Sequence, residues 1–341
     1  MYLKPQELKD LKSHLKTKRN IVIVTHWTPD GDAMGSSLGL YNFLIQLKHK
    51  VTVITPNDYP SFLFWLPGNK NVLVFSEKAS LAKKAVAKAD FIFCLDFNSL
   101  KRIDKLGDEV GKSKAKKMII DHHPQPDAFA DYLFHDVKAS STCQLIYELI
   151  CVLDHKKLLN KAVASCLYTG IMTDTGSFRF PSTTARTHRI VADLIEAGAN
   201  GSDIHNNVYD DNTGDKLKLL GYCLGEKMKV FPEYRTAMVS LSAEDHVRFN
   251  YQKGDTEGVV NYCLSIRGIR FAVFFAERDG MIKTSFRSKG SFDVNKFARA
   301  NFEGGGHANA AGGMSKLTLD QTIDKFLSLL PTYSKQLNSK K

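Results

Sequence analysis

No apolar run in the sequence approaches the ~20 consecutive residues that a membrane-spanning helix needs, so no such helix is expected. The opening stretch, MYLKPQELKDLKSHLKTKRN, is charged throughout and lacks the apolar centre of an export signal, which makes a cytoplasmic protein the expectation. Cysteine is sparse. The six residues at 94, 143, 151, 166, 223 and 263 form no CxxC pair and no tight Cys/His cluster, excluding a zinc knuckle and a disulfide framework. Runs such as FIFCLD read the thiols as buried and inert. Repeats and low-complexity tracts are missing as well, and with 43% apolar and 10% aromatic residues a disordered chain is excluded.

What is present is a chain of 341 residues, more than one ordinary core serves, so two domains are expected. Lys and Arg number 47 against 36 acids, a net charge of +11, which favours a phosphate-bearing partner. The lysine-rich stretches GKSKAKK and HKK read individually as solvated loop faces, so charge does not choose that partner.

After an amphipathic first helix, apolar strand-like runs alternate with helical patterns: IVIVTH at 21–26, a helix over 32–48, VTVIT at 51–55, VLVF at 72–75, a helix over 77–89, FIFCLD at 91–96 and MIIDHH at 118–123. Continuous apolar strands joined by helices predict an α/β fold with a parallel sheet covered on both faces. Helical periodicity then holds over 140–152, 161–173, 184–197 and 214–229. Phe231-Pro232 breaks it, and strand patterns follow at 235–241, 270–277 and 281–287, with Asp279-Gly280 as a hairpin signal and a last helix over 319–337. The expected division is 1–229 and a smaller α+β domain over 230–341.

Parallel sheets bind ligands outside the carboxyl ends of their strands. Here His26 ends the first strand, Asp30 and Asp32 follow in THWTPDGD, Asp96 ends FIFCLD, and Asp121, His122 and His123 end MIIDHH. Asp174 leaves an apolar helix in TGIMTDTGSFRF, ahead of Gly176, which can turn the chain sharply. So many acids at one edge repel each other unless divalent cations sit between them. Carboxylates with imidazoles suit manganese, magnesium or iron, and the number of donors suits two ions sharing a carboxylate. Asp30 and Asp32, two residues apart on an extended loop, would point the same way and give one acid to each ion. Isolated histidines, His49, His155, His188 and His246, read as surface or core residues. In the second domain, Gly304-Gly305-Gly306-His307 reads as a loop whose backbone N–H groups approach an anion, with Arg287 and Ser288 of SFRS nearby and the Arg287 guanidinium offering a fork for phosphate.

The segments HWTPDGD, LDFNSLKR, DHHP and TDTGSF resemble, in order and spacing, the four motifs of the DHH phosphoesterase superfamily, and FEGGGHANAAGG resembles the GGGH signature of its DHH-associated domain. The two-domain length is most similar to the branch called nanoRNase/pAp phosphatase. This resemblance implies one metal, usually manganese, on His26, Asp30 and Asp96, and a second on Asp32, Asp96, His122 and Asp174, with Asp96 as the bridge. It also implies that His123 contacts or protonates a phosphate oxygen, that Asp121 orients a neighbouring group, and that Arg287, Ser288, Gly304, Gly305, Gly306 and His307 bind the substrate in a cleft between the domains. Arg102 is a candidate phosphate contact with an equal claim to being a surface arginine.

The expected activity is hydrolysis of short oligoribonucleotides to mononucleotides and of 3′-phosphoadenosine 5′-phosphate, by a water deprotonated between two ions and attacking phosphorus in line. No long aromatic-and-basic groove suited to tracking polymers is evident. A cyclic or linear dinucleotide phosphodiesterase is the alternative with the same metal chemistry. A DHH-type pyrophosphatase fits the GGGH segment less well, a RecJ-type exonuclease needs more chain, and a binding module with a dead metal site conflicts with intact acids in every motif. The family resemblance also implies a homodimer.

Overall fold

In the central strands of the first sheet, residues 21–24, 91–95 and 118–120 are apolar without polar interruption and buried, because both faces of the sheet are covered there. The computed structural model describes residues 3–278 and 280–339; Asp279, half of the expected hairpin signal, lies outside them. The chain divides into two units, Met1–Asp211 and Asn212–Lys341.

The first unit runs α1 (Pro5–Leu15), β1 (Asn20–Thr25), α2 (Gly31–Gln46), β2 (Lys50–Thr55), β3 (Val72–Val74), α3 (Phe75–Ala87), β4 (Phe91–Leu95), α4 (Lys105–Lys112), β5 (Lys116–Asp121), β6 (Tyr132–His135), α5 (Thr142–Val152), α6 (Lys161–Asp174), α7 (Ala185–Glu196) and α8 (Gly201–His205). Its six strands are all parallel, in the order β3-β2-β1-β4-β5-β6. Alternate residues of β1 serve opposite cores: Ile21 and Ile23 pack with Met34 and Leu38 of α2, Val22 and Val24 with Val86 of α3 and Val110 of α4. The order reverses at β1 and β4, and the strand-end loops there diverge to opposite faces, leaving a crevice between them. The series does not end with MIIDHH, because β6 adds a sixth strand at the edge.

The second unit runs α9 (Gly214–Tyr222), β7 (Lys229–Phe231), β8 (Thr236–Leu241), α10 (Ala243–Arg248), α11 (Val259–Ser265), β9 (Phe271–Arg278), β10 (Met281–Ser288), α12 (Val294–Asn301), β11 (Glu303–His307), β12 (Ala310–Ser315) and α13 (Leu319–Asn338). Its sheet is mixed, ordered β11-β12-β10-β9-β8-β7, with β8 and β9 the parallel pair. One face carries a phenylalanine cluster of Phe271, Phe275, Phe286, Phe297, Phe302 and Phe326. On the other face, Ala237, Val239, Ala272 and Phe274 pack with Leu219, Val259 and Cys263. Leu219 and Cys223 therefore belong to this core, which is why the division falls at 211/212 and not at the expected 229/230. The expected helix over 214–229 stops at Tyr222 and continues as a π-turn over Cys223–Lys227.

Candidate functional site

β1 and β4 deliver His26 and Asp96 to the crevice at the switch point, and each is held by its surroundings. Asp96 turns with φ 63, a left-handed conformation that non-glycine residues seldom adopt, and its amide donates to Ile120 O at 3.1 Å. His26 Nε2 lies 3.3 Å from Asp96 Oδ2 and 3.8 Å from Asp30 Oδ1. His122, just past β5, places Nε2 3.6 Å from Asp96 Oδ1, 3.6 Å from Asp174 Oδ2 and 3.8 Å from Asp32 Oδ2. Asp96 thus faces both imidazoles, one with each oxygen.

Asp30 and Asp32 do not share an extended loop. Asp30 caps α2, its Oδ1 accepting from the amides of Asp32 and Ala33, both at 3.0 Å, while Asp32 lies inside the first helical turn. Asp32 is instead held from α5: Thr142 N donates to its Oδ2 at 2.6 Å and Cys143 N to its Oδ1 at 2.9 Å, so the positive end of that helix faces the carboxylate. Thr142 Oγ1 donates to Asp96 at 2.9 Å. Gly170 is what lets α6 come this close, since a Cβ there would collide with Cys143 Sγ and meet Asp32 Oδ1 at 2.9 Å. α6 ends on Asp174, and the chain leaves through left-handed residues at Gly176, Ser177 and Phe178.

The donor atoms of His26, Asp30 and Asp96 lie within 4.8 Å of one another, as do those of Asp32, His122 and Asp174. Whether these sets suit a cation can be judged from the rings. His26 Nδ1 faces Trp27 O at 2.9 Å and His122 Nδ1 faces Ala139 O at 3.3 Å. A carbonyl only accepts, so the N–H sits on Nδ1 in both, and each Nε2 points at carboxylates. Two lone pairs would oppose one another there unless a cation or a proton lies between them. Without metal it is the proton: burial pulls both pKa values down, but hydrogen bonds that the His26 ring donates to Asp30 and Asp96 outweigh it and push His26 up to about 10. The charges of Asp174, Asp96 and Asp32 likewise push His122 up to about 9. Burial, then the charges of Asp96 and Asp174, raise Asp32 well above the ordinary carboxylate range. The sets fit divalent cations of the harder kind, with nitrogen and oxygen donors and no sulfur.

Beside them stands a different pair. His123 Nδ1 is 2.8 Å from Asp121 Oδ1, and His135 Nε2 meets His123 O at 2.7 Å. Burial, reinforced by the charges of His122, Arg102 and His26 and only partly opposed by Asp96, lowers His123 to about 3, so the ring is neutral at pH 7. Burial raises the pKa of Asp121, whose Oδ2 has no hydrogen-bond partner among the described residues. Arg102 lies in a 3-10 turn over Leu100–Ile103, and its charge favours the ionised form of Asp121.

In the second unit, the residues expected to form a glycine loop form strand β11 instead. The run is needed for strand pairing: a Cβ at Gly304 would collide with Gly312 O, and Gly306 N donates to Asn295 Oδ1 at 3.1 Å. Register aligns His307 with Ala310 and Ala310 with Arg287, so His307 and Arg287 lie in one cross-strand row. Burial alternates along β10, putting Lys283, Ser285 and Arg287 on the more open face and Ser288 in the core. The Ser288 hydroxyl donates to Phe292 O at 2.6 Å and accepts from Asn309 Nδ2 at 2.8 Å, holding the chain after β10. Sequence reasoning missed Thr142, Ala139 and His135, although SSTCQ ahead of an apolar helix is a capping signal that marks the first.

This arrangement of acids and histidines at a parallel-sheet switch point, with a mixed-sheet unit behind it in the chain, is that of a hydrolase class seen in known proteins. Residues 20–171 match the DHH family, N-terminal domain, and residues 236–336 match the DHHA1 domain. The chain is 34% identical over 320 residues to the bifunctional oligoribonuclease and PAP phosphatase NrnA of Bacillus subtilis (strain 168), spanning 93% of this chain and 95% of that protein. The crystal structure of an exopolyphosphatase-related protein from Bacteroides fragilis superposes with a TM-score of 0.92 at 41% identity, covering 99% of this chain and 100% of that one. RecJ from Thermus thermophilus, solved with Mn2+, shares the fold at 13% identity and a TM-score of 0.54, over 98% of this chain and 56% of that one. The chain belongs to the DHH family of hydrolases, with a DHHA1 domain after the DHH domain. No helix among the described residues is long and apolar enough to cross a membrane.

Proposed function

We propose that the protein hydrolyses short oligoribonucleotides to mononucleotides and removes a phosphate from 3′-phosphoadenosine 5′-phosphate. The observation that carries the reading is Asp96, whose two oxygens face His26 at 3.3 Å and His122 at 3.6 Å, as a carboxylate shared by two cation sites would. His26, Asp30 and Asp96 would hold one manganese ion, and Asp32, Asp96, His122 and Asp174 the second; magnesium or iron suits the same donors. Bound there, the ions would supply Lewis acidity for water activation and neutralise charge on the reacting phosphate.

The chain's own groups account for the rest. Thr142 and the amides of α5 fix Asp32 and Asp96 before any ligand arrives, so little reorganisation is left to the reaction. Asp121 holds the Nδ1 proton of His123 and leaves Nε2 as an acceptor. The negative charge of an entering phosphate raises the proton affinity of that nitrogen, so His123 can take a proton from solvent at Nε2 and donate it, in a hydrogen bond or by transfer, to a phosphate oxygen. Arg287 and His307, in one row of the second sheet, are the proposed contacts to a substrate phosphate.

The test is turnover of a ribodinucleotide, 3′-phosphoadenosine 5′-phosphate and a cyclic dinucleotide with manganese, each with and without chelator. Chelator-sensitive cleavage of the first two is expected. Cleavage of the cyclic substrate alone would keep the metal site and replace the substrate class, and no turnover of any would overturn the reading.

A further inference from the structure

The sequence holds two tryptophans, and they are used in opposite ways. Trp65 packs against the main core of the first unit. Trp27 lies in the sequence between the candidate ligands His26 and Asp30, yet is 42% exposed and belongs to no core cluster among the described residues. Its backbone is pinned from several sides: its amide donates to Arg102 O at 2.8 Å, and its carbonyl accepts from His26 Nδ1 at 2.9 Å and from Thr28 Oγ1 at 2.6 Å. The next residue has φ 55, and its amide donates to Asn57 Oδ1 at 2.7 Å, tying the loop after β1 to the loop after β2. No hydrogen bond or ring contact of the indole itself is found among the described residues. The peptide groups of Trp27 thus hold the loop that carries the candidate ligands, while its side chain is partly exposed on that stiff support, one residue beyond His26.

We infer that the Trp27 indole is a stacking platform for the nucleobase of the nucleotide whose phosphate is attacked. This inference rests on the nucleotide-hydrolase reading and goes beyond it by assigning the base a binding site on the metal-bearing unit. A flat aromatic face accepts any base, so the platform gives affinity for nucleotides over base-free phosphoesters with little preference among bases. Its fixed backbone lowers the ordering cost of the stack.

Two measurements on the full chain test it. The first compares KM for 3′-phosphoadenosine 5′-phosphate with KM for its abasic analogue, in the parent and in Trp27→Ala. The preference for the base-bearing substrate is expected to fall roughly 5- to 100-fold in the variant. General damage to the metal site lowers turnover of both substrates and leaves that ratio unmoved. The second follows indole emission during titration with adenosine 5′-monophosphate or inorganic phosphate, in the parent and in Trp27→Phe. The nucleotide, and not phosphate, is expected to change the parent's emission, and the change should vanish in the variant. A parent that cleaves nucleotides while Trp27→Ala keeps full base discrimination overturns this inference alone. A parent that neither binds nor cleaves nucleotides overturns the function reading, and the platform with it.

Discussion

The first unit gathers its polar chemistry where strands stop, and the second spreads its own along strands that continue. At the carboxyl edge of the parallel sheet, His26, Asp96 and the Asp121-His122 pair stand at the ends of three apolar runs, 21–24, 91–95 and 118–120, so the change from apolar to polar is abrupt. In β10 and β11, Arg287 and His307 alternate with core residues or follow glycines, and nothing in the sequence separates a binding group from the ordinary outward face of a half-buried strand. Active groups are therefore easy to find in a sheet buried on both faces and hard to find in one with an open face. The same contrast separates their mutational signatures: changes in the first unit should act on cations and turnover, changes in the second on substrate affinity and on strand pairing.

The sharpest way to break that contrast is Asp96→Asn. The substitution removes the carboxylate facing both imidazoles while preserving volume and the hydrogen bond from Thr142. Turnover should fall on the order of 10³-fold or more, with circular dichroism unchanged. Substantial activity restored by excess manganese would remove Asp96 from its shared position.

Proton competition gives the next effect. In the metal-free protein, His26 and His122 hold protons to about pH 10 and about 9, above their ordinary value. Their charged forms therefore contribute stability that is full below about pH 6.5 and is lost as pH rises through 9 and 10. Cation binding requires the neutral rings and so runs the other way: manganese affinity should rise between pH 6 and 8 by about tenfold per unit for each proton displaced. Calorimetry in two buffers of different ionisation enthalpy would measure the protons released. A pH-independent affinity without proton release would show that the imidazoles are not ligands.

How much of this was legible follows the same division. The parallel strands, the helices between them and the approach of Asp32, Asp96, His122 and Asp174 could be read because each lay at the boundary of an apolar run. β6 was not, since Tyr132–His135 is a short edge strand between acids, and α4 was obscured by Gly107 and Gly111. Asp30 before Gly31 is open in the sequence to reading as a helix cap or a turn former, and Gly31 begins α2 with Asp30 as its cap. In the second unit the glycine run pointed to a loop because glycine disfavours strands, whereas the fold uses it to bring two strands together.

Arg287→Gln tests the substrate side. With the guanidinium gone, KM for a nucleotide substrate should rise roughly tenfold to a hundredfold through loss of a charge-assisted contact. Stabilisation of the protein by manganese should not change. An altered metal response would mean that the functional separation of the two units is wrong.

The smallest effect is the most local. Gly304→Ala drives a methyl group into Gly312 O and to within 2.7 Å of Gly313 Cα, and both obstacles are backbone, so no side-chain rotation relieves them. β11 must draw back from β12, at a cost of about 1–3 kcal/mol and a few degrees in the melting of the second unit. Because β11 is the outermost strand of its sheet, the displacement has room and need not reach the phenylalanine core on which α12 and α13 rest. Hydrogen exchange should therefore quicken at Glu303–His307 and Ala310–Ser315 while Phe271–Arg278 keeps its protection. If exchange quickened across the whole sheet, the glycines would be setting the packing of the entire unit; if it quickened nowhere, strand pairing would not be what requires glycine at this position.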